Sequence, residues 1–387
     1  MIHSPDDMLS AAEALLRRPP DPFAIPEHTL AFEAALAQYF GVQEAIAVSS
    51  GTSALHCALA ALDIGPGDEV LVPALAVVMS AVPILYQRAT PVFVDCQPGG
   101  RIDFDYRDLK RKTTARTRAI LPVYLWGCAY DMPRLLDYAQ SHSLSVIEDA
   151  CQAHGTQWGG RYLGTWGHLG CFSMRDGKLL STGEGGFLLT NHSTLARRCR
   201  SFRSHWASPG NLAHSYECLG QNYRLTEWQA FLGHAQVRAL DTTLSHRCWQ
   251  AEYILNGLAD VPEVEPYVYA PEETPNYFSP VLLLREPLAT RRIAERLSER
   301  GVRNSVGTFG LKPTGEWPVF REAGGRVAHL GASQNVATPN ATAFLTQALA
   351  LMLLPQYAVA ELDAIITAMK TTIEEEIRHG GETADAT

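Results

Sequence analysis

The fold is decided by two neighbouring stretches, Asp149-Ala150-Cys151-Gln152-Ala153-His154-Gly155 and Ser173-Met174-Arg175-Asp176-Gly177-Lys178-Leu179-Leu180-Ser181-Thr182-Gly183-Glu184-Gly185-Gly186. The first begins with an acid at the end of an apolar run, and the second holds a lysine in a segment rich in serine and glycine. This combination is typical of a pyridoxal phosphate site. The lysine can hold the cofactor's aldehyde as a Schiff base, and the acid can keep the pyridine nitrogen protonated. We therefore expect Asp149 and Lys178 to meet at a cofactor.

Lys178 differs from the other lysines of the chain in its surroundings. The others lie in polar or helical segments typical of solvated lysines: Lys110, Lys112, Lys312 and Lys370. Lys178 lies instead in a loop between two apolar strands, where a lysine beside a cofactor should have a lowered pKa and act as nucleophile and proton shuttle. Ser173, five residues earlier, could donate to a phosphate. The run Gly183-Glu184-Gly185-Gly186 predicts a tight turn back to the sheet, which is equally typical of a simple hairpin.

Short apolar runs alternate with helical segments on both sides of this pair. The runs that predict strands are 45–48, 69–73, 91–95, 119–124, 145–149, 171–174 and 186–190. The segments that predict helices are 28–40, 54–62, 78–88 and 131–142. β-Branched runs that are apolar on both faces and alternate with helices indicate an α/β fold with a mostly parallel sheet.

The length of 387 residues predicts one large and one smaller domain. The expected organisation has four parts: an extended, proline-stiffened arm (1–26), a large cofactor-binding domain (27–257), a small α+β domain (258–375) and a disordered polar tail (376–387). A long helical stretch from Thr226 to about residue 257 marks the boundary between the domains. The small domain is predicted from a strand at 279–284 and helices at 291–300, 341–349 and 358–372.

The composition is that of a packed soluble protein, with 46% hydrophobic and 19% charged residues. A net charge of −9 argues against a nucleic-acid or anionic-membrane partner. Eight cysteines without a CxxC pair predict reduced thiols, and neither a disulfide framework nor a metal site. The first residues lack the features of a signal peptide, and no apolar run is long enough to span a membrane. We therefore expect a cytoplasmic protein.

Three further features are compatible with a cofactor site and also with ordinary structure. The stretch Ser49-Ser50-Gly51-Thr52-Ser53 follows a strand and opens a helix, so its N–H groups could hold a phosphate or simply form an N-cap. Asp149 could cap a helix, although the ends of strands are where α/β proteins place ligand-contacting residues. Gln152 could donate to the cofactor's phenolate oxygen or lie on the surface, and His154 is more typical of a structural histidine.

Five groups of residues in this order resemble one known family. They are Ser50-Gly51-Thr52-Ser53-Ala54-Leu55; Pro91-Val92-Phe93-Val94-Asp95; Glu148-Asp149-Ala150 with Gln152-Ala153-His154-Gly155; Phe172-Ser173 with Lys178 and Gly183-Glu184-Gly185-Gly186; and Gly220-Gln221-Asn222-Tyr223-Arg224 with Gln229-Ala230. The chain resembles the DegT/DnrJ/EryC1/StrS family of sugar aminotransferases, which are pyridoxal phosphate enzymes of fold type I. The resemblance covers residues 28 to 245 and implies a three-layer, mostly parallel, seven-stranded sheet.

The resemblance implies a role for each matching residue. Lys178 would form the Schiff base and Asp149 would pair with the pyridine nitrogen. The residues that it places around the cofactor are Gly51, Thr52, Ser53, Asp149, Gln152, Ser173, Lys178 and Asn222. Asn222 would reach the phosphate of the other subunit's cofactor, so the resemblance implies a homodimer with shared active sites.

Three positions depart from the family's pattern. Val77 or a neighbour stands where an aromatic residue usually stacks on the cofactor ring, so the ring face is expected to be aliphatic or stacked from elsewhere. Tyr124 replaces a histidine, and the run Ser173-Met174-Arg175-Asp176 lacks another. The Phe-Ser-Met run is similar to that of the cyclitol-aminating members, whereas Asp-Gly-Lys is similar to that of aminohydroxybenzoate-synthase-like members, so the acceptor stays open.

The resemblance implies an aminotransferase that moves an amino group from glutamate or glutamine to a keto-sugar nucleotide or a keto-cyclitol, in secondary-metabolite or glycan biosynthesis. The alternatives are a sugar dehydratase, which has histidine in place of the lysine, and a non-catalytic regulator on the same fold. Basic and aromatic residues suited to a sugar or its phosphates follow the lysine strands: Arg200, Arg203, His205, Trp206, Tyr223 and Arg224. They are equally typical of surface charges and core aromatics. Arg224 is the residue that we expect to bind an anionic group.

Overall fold

The structure is a computed structural model. It describes residues 26–206, 218–285, 288–321 and 337–384, together with 12, 13 and 15–17. The short N-terminal pieces are helical, and Arg17 pairs with Glu13. Apart from these pieces and Pro26, the predicted arm lies outside the described residues.

The strands of the described residues are β1 (Glu44–Val48), β2 (Glu69–Pro73), β3 (Thr90–Val94), β4 (Cys96–Gln97), β5 (Arg101–Phe104), β6 (Thr117–Ile120), β7 (Ser145–Asp149), β8 (Gln157–Trp158), β9 (Arg161–Tyr162), β10 (Leu169–Ser173), β11 (Gly186–Thr190), β12 (Val264–Pro266), β13 (Glu273–Thr274), β14 (Val281–Leu284) and β15 (Ala348–Ala350).

The helices of the described residues are α1 (Glu27–Phe40), α2 (Gly51–Ala61), α3 (Val78–Tyr86), α4 (Tyr106–Lys112), α5 (Met132–Ser141), α6 (Ser193–Arg203), α7 (Glu227–Arg238), α8 (Leu240–Gly257), α9 (Thr290–Glu299), α10 (Pro318–Arg321), α11 (Pro339–Leu345) and α12 (Val359–Ala384). Two 3₁₀ turns lie at Leu125–Gly127 and Thr314–Glu316.

The large sheet has seven strands in the order β1-β11-β10-β7-β6-β2-β3. Only β11 runs antiparallel to its neighbours, so the carboxyl ends of β1, β2, β6, β7 and β10 meet at one edge of the sheet. The predicted α/β fold with a mostly parallel seven-stranded sheet is confirmed. The apolar runs on both sides of Lys178 predicted it correctly because these strands are buried on both faces.

The alternation of side chains along each strand produces the three layers. In β1, Ala45 and Ala47 face one core, which α1, α5 and α7 cover, whereas Ile46 and Val48 face a second core beneath α2, α3 and α6. Successive side chains of a strand point to opposite faces, so every inner strand serves both cores. The sheet is therefore held between two helical layers, and its carboxyl edge is left open for a site.

A second unit forms around the three-stranded sheet β12-β14-β15. Its core includes Leu282 and Leu284 from β14, Ile293 from α9 and Met369 from α12, and α8 adds Ile254. The division into domains at residue 257 stays a prediction.

Two sequence expectations for this part were wrong. The helix expected at 341–349 ends at Leu345, because Leu349 belongs to strand β15, which pairs with β14. The tail does not begin at residue 376, because α12 continues through it and the Glu376 carboxylate, only 2% exposed, pairs with Arg292 and Arg296. An ion pair at a buried carboxylate holds that turn of the helix in place.

Candidate active site

A cavity of about 410 Å³ lies at the carboxyl edge of the large sheet. Its floor comes from the turn after β1, the end of β7 and the end of β10, and the loop after β10 brings Lys178 to it. Asp149 and Lys178 both line this cavity, as do Gly51, Thr52 and Ser173. Residues that lie in three separate parts of the sequence therefore share one site, because parallel strands end at the same edge.

Asp149 is the last residue of β7 and is 4% exposed. Its Oδ2 accepts a hydrogen bond of 2.6 Å from the hydroxyl of Ser80, near the start of α3. Its Oδ1 accepts a bond of 3.1 Å from the backbone N–H of Cys151. Both donors fix the direction of the carboxylate. Ser80 was missed in the sequence, where it stands as a single polar residue in an apolar helix.

Lys178 lies in the loop between β10 and β11, and its side chain is half-buried. Its Nζ lies 4.7 Å from the centre of the Phe278 ring. Burial lowers the pKa of Lys178; Cys151 and Asp149 oppose that shift, and the charge of Arg175 adds to it. The lowered pKa expected from the sequence is confirmed. Its cause is the removal of the ammonium group from water, which disfavours the charged form.

Burial alone does not distinguish Lys178 from the other lysines. Lys112, which was expected to be solvated, is also buried, and its Nζ lies 2.7 Å from Asp108 Oδ2 and donates to the Phe93 carbonyl. An ion pair of this kind accounts for a buried lysine as a structural group. Within the described residues, the Lys178 amine has no such carboxylate partner and contacts an aromatic ring instead.

The turn from β1 into α2 provides a cradle for an anion. A Cβ at Gly51 would lie 2.7 Å from Cys151 Sγ and 2.8 Å from Ser173 Cβ, so only glycine fits between these groups. Ser50 caps α2 by accepting a bond of 3.0 Å from the N–H of Ser53. The first N–H groups of a helix have no partner within the helix, and its positive end attracts phosphate.

The position of Ser53 differs from the sequence expectation. Its hydroxyl lies 3.0 Å from Ser49 Oγ and 2.8 Å from Ser50 Oγ, and the side chain is buried away from the cavity. Ser53 therefore stabilises the helix cap and does not line the site, whereas Ser50 does. The cofactor contact expected of Ser53 stays a prediction.

Gln152 lines the cavity with its amide orientation fixed. Its Oε1 accepts a bond of 2.6 Å from the backbone N–H of Trp126, so its Nε2 is left as a donor toward the cavity. Trp126 has a φ of 60° and precedes Gly127, which also has a positive φ. The sequence did not identify Trp126 as the residue that orients Gln152.

His154 and Tyr124 are held in the protein interior. The His154 ring makes edge contacts with Phe172 and Phe187, and burial, together with the charge of Lys178, lowers its pKa to about 3. The Tyr124 hydroxyl donates a bond of 2.5 Å to the buried Glu148. Glu148 also accepts three backbone bonds from the 164–167 loop. Tyr124 also lines the cavity, and His154 is fully buried. The structural role of His154 stays a prediction.

The residues expected to bind a sugar do not line the cavity of this chain. Arg200 and Arg203 pair with the buried Glu33 of α1, which makes them structural. The Tyr223 hydroxyl bonds to His56 Nδ1 at 2.9 Å, and Trp206 packs against the second core. Exposed residues of the same region are His205, Asn222 and Arg224. Residues 207–217, between these groups, lie outside the described residues.

The far wall of the cavity comes from the C-terminal third of the chain, which the sequence did not connect with the site. Its residues are Phe278, Ser279, Ser305, Phe309, Leu311, Trp317, Ala350 and Met352. Asn276 fixes one part of this wall: its amide donates to the carbonyls of Gln152 and His154 and its Oδ1 accepts from the N–H of Phe278. Val77, Val78 and Met79 also line the cavity, and none of the three is aromatic.

These residues fit pyridoxal phosphate. The cradle at Gly51 suits its phosphate, the anionic Asp149 suits a pyridinium nitrogen, and Lys178 presents an amine with a lowered pKa to the same space. The donor set of a carboxylate, an amide and a lysine also matches the polar groups around that ring.

Comparison with known proteins agrees with this geometry. The chain matches the DegT/DnrJ/EryC1/StrS aminotransferase family over residues 23–370. The crystal structure of DesV from S. venezuelae, solved with a ketimine intermediate, is 30% identical; the match covers 95% of this chain and 94% of DesV, with a TM-score of 0.80.

Curated relatives match over a shorter part. GDP-perosamine synthase of Caulobacter vibrioides is 44% identical over 216 residues, which is 56% of this chain and 58% of that protein. L-glutamine:2-deoxy-scyllo-inosose aminotransferase of Micromonospora echinospora is 35% identical over 252 residues, 63% of this chain and 60% of that protein. The chain thus spans about three fifths of the length of these relatives. In the described part of the chain, no helix has the length and apolar character that crossing a membrane requires.

Proposed function

We propose that this chain, which belongs to the DegT/DnrJ/EryC1/StrS aminotransferase family, is a pyridoxal phosphate-dependent aminotransferase that transfers the amino group of glutamate or glutamine to a ketone on a six-membered polyhydroxylated ring. The observation that carries the proposal is the meeting of Lys178, Asp149 and the Gly51 cradle in one cavity. The full match to DesV supports the reaction class, and the partial matches support the acceptor class.

When bound, pyridoxal phosphate supplies an electron-accepting ring and a carbon that carries the amino group between the two substrates. Lys178 would bind this group covalently through Nζ, and its lowered pKa increases the fraction of nucleophilic amine near neutral pH. The same Nζ would move a proton at the substrate carbon. Asp149 would hold a proton on the ring nitrogen, and Ser80 holds the Asp149 carboxylate in place.

The other residues orient the cofactor and exclude water. Gly51, Thr52 and Ser173 would hold the phosphate, and Nε2 of Gln152 would donate to the phenolate oxygen. Val77 and Phe278 contribute apolar side chains to the cavity. Apolar surroundings lower the local dielectric, which would strengthen the interaction of Asp149 with the ring nitrogen.

The acceptor is proposed as a nucleotide-linked keto-sugar or a keto-cyclitol. The two relatives with partial matches carry names for reactions on these two kinds of ring. The far wall offers two hydroxyls, Ser279 and Ser305, beside the large apolar side chains of Phe309, Leu311 and Trp317. A ring with hydroxyls on its edge and an apolar face suits such a wall.

A second copy of the chain is proposed as the partner. Asn222 is exposed and lies outside this chain's own cavity, as expected of a residue that reaches the phosphate in the partner subunit's site. Arg224 is exposed on the same segment. We propose that it also reaches the partner subunit's site and binds an anionic group there. A cytoplasmic location, expected from the unpaired cysteines, remains a prediction.

The experiment that tests the function separates the two half-reactions. The loaded enzyme is first converted with glutamate or glutamine, and loss of the visible absorbance band is followed. The converted enzyme is then mixed with a panel of keto-sugar nucleotides, inososes and simple 2-oxo acids, with Lys178→Ala as the control. We expect the band to return with a member of the first two classes. Return with simple 2-oxo acids alone would contradict the proposal and indicate an ordinary amino-acid transaminase.

A further inference from the structure

Arg175 lines the cavity two residues after the end of β10 and three residues before Lys178. Its carbonyl accepts a bond of 3.1 Å from the N–H of Lys178, and its own N–H donates a weak bond of 3.4 Å to Ser173 Oγ. A turn therefore holds the two cations near each other. In the described part of the chain, Arg175 is the one arginine that lines this cavity.

Among the described residues, Asp176 and Asp149 are engaged by other donors, and Glu184 forms no ion pair with Arg175. Asp176, the next residue, accepts a bond of 2.8 Å from the Ser181 hydroxyl. Asp149 is occupied by Ser80 and the N–H of Cys151. Glu184 also lines the cavity but forms no salt bridge with Arg175 in the described structure. The exposed guanidinium thus remains available for an anion from solution.

The charge of Arg175 acts on Lys178 directly, since it contributes to the lowered pKa of that amine. The cavity lining also includes the apolar side chains of Met79, Phe278 and Met352. An anionic group that entered this space without a partner would lose its hydration at a high cost in free energy. Within the described lining, the Gly51 cradle and Arg175 are each able to receive an anion.

We propose that Arg175 binds the α-carboxylate of the amino donor. This inference rests on the proposed function, because an aminotransferase must bring the donor's amine to the carbon held at Lys178. The α-carboxylate is attached to the same carbon as that amine, so it must lie within a few bonds of the Lys178 site. Arginine can bind a carboxylate through two parallel hydrogen bonds, which also fixes the direction of the donor.

The cofactor's phosphate is the other anion that Arg175 can bind. The experiment therefore measures binding of the cofactor and binding of the amino donor separately. The variants are Arg175→Gln, which removes the charge and keeps polarity, and Arg175→Lys, which keeps the charge and loses the paired geometry. Arg291→Gln is the matched control, since Arg291 is highly exposed on α9, far along the chain from the site. The probes are pyridoxal phosphate and the α-methyl derivatives of L-glutamate and L-glutamine. These derivatives lack the hydrogen that the reaction removes, so they report binding without turnover.

We expect Arg175→Gln to weaken binding of the α-methyl derivatives by about 10- to 100-fold, in the range of a hydrogen bond to a charged group. Arg175→Lys should recover part of the loss, and cofactor affinity should stay within about twofold in both variants. Weaker cofactor binding with unchanged amino-acid binding would overturn the inference in favour of a phosphate contact. Unchanged binding of both ligands would overturn it as well.

Failure of the proposed function gives a different pattern. In that case the wild-type enzyme itself would bind neither derivative and would not lose its visible band with glutamate or glutamine. If the wild type and Arg175→Gln bind the derivatives equally well, the role of Arg175 is contradicted and the proposed function is not.

Discussion

The hydroxyl of Ser80 lies 2.6 Å from Oδ2 of Asp149, so a residue of α3 orients the carboxylate at the end of β7. This hydrogen bond fixes the direction of a carboxylate that lines the cavity. In the proposed site the Asp149 carboxylate would keep the cofactor's ring nitrogen protonated. The Ser80–Asp149 contact therefore links the second helical layer to the chemistry of the cavity.

The first prediction concerns this pair. We expect Asp149→Asn to keep the cofactor bound and to slow the half-reaction with the amino donor by about 100-fold or more, since such electrostatic stabilisation contributes on the order of 3 kcal/mol. Ser80→Ala should slow it by about 10-fold, because one hydrogen bond to the charged group is lost. Stopped-flow absorbance measures both rates. Rates near wild type with bound cofactor would remove this pair from the mechanism.

A second prediction concerns the anion cradle. A Cβ at Gly51 would meet Cys151 and Ser173 at distances that side chains do not tolerate, so Gly51→Ala should weaken cofactor binding by at least about 10-fold. Gly65→Ala is the matched control, because a Cβ there meets nothing within 4 Å. Fluorescence titration of the cofactor-free protein gives both dissociation constants. Equal affinities in the two variants would mean that the phosphate lies elsewhere.

The third prediction concerns the pH dependence of stability. The pKa of His154 is about 3 in the folded protein and about 6.5 when unfolded, so the unfolded chain binds one more proton between these values. The contribution of His154 to the free energy of unfolding is fully present well above pH 6.5, and it decreases as the pH falls from 6.5 toward 3. Between pH 6.5 and pH 5 the loss is about 2 kcal/mol.

The substitution His154→Phe should reduce this acid sensitivity, since a phenyl ring can keep the edge contacts with Phe172 and Phe187 and does not titrate. Urea unfolding at pH 5 and pH 7 measures the difference. If the variant and the wild type lose the same free energy between these pH values, the buried neutral histidine is not the cause.

The fourth prediction concerns the shared active site. Lys178→Ala and Asn222→Ala should each be inactive as homodimers. An equal mixture that exchanges subunits should recover about a quarter of wild-type activity, because half of the dimers are mixed and each has one intact site. Mixed dimers shown to form without any activity would indicate that each site is built from one chain.

The sequence was most informative where the site is local in the chain. The motifs at Asp149 and Lys178 follow strand ends, and the alternation of strands and helices predicted that these ends meet at one edge. The two-faced burial of β1, with Ala47 on one side and Val48 on the other, produced the apolar runs that made the sheet predictable.

The remainder of the site depends on contacts between distant residues. Phe278 and Met352 reach the cavity only through the fold of the C-terminal unit, which no short motif encodes. Arg203 resembled a substrate ligand because it follows the lysine strands, but its partner Glu33 lies 170 residues earlier in the chain. Lys112 appears in a charged segment, yet Asp108 on the same helix pairs with it in a buried position. Charge and order in the sequence do not reveal which partner a side chain finds.

The most direct test of the account is to find the residue that carries the cofactor. The loaded protein is reduced with borohydride, digested and analysed by mass spectrometry. We predict that the reduced cofactor is attached to the peptide that contains Lys178, and that Lys178→Ala shows neither this label nor the visible absorbance band while keeping its circular dichroism spectrum. A label on another lysine, such as the buried Lys112, or a visible band that persists in Lys178→Ala, would contradict the central claim.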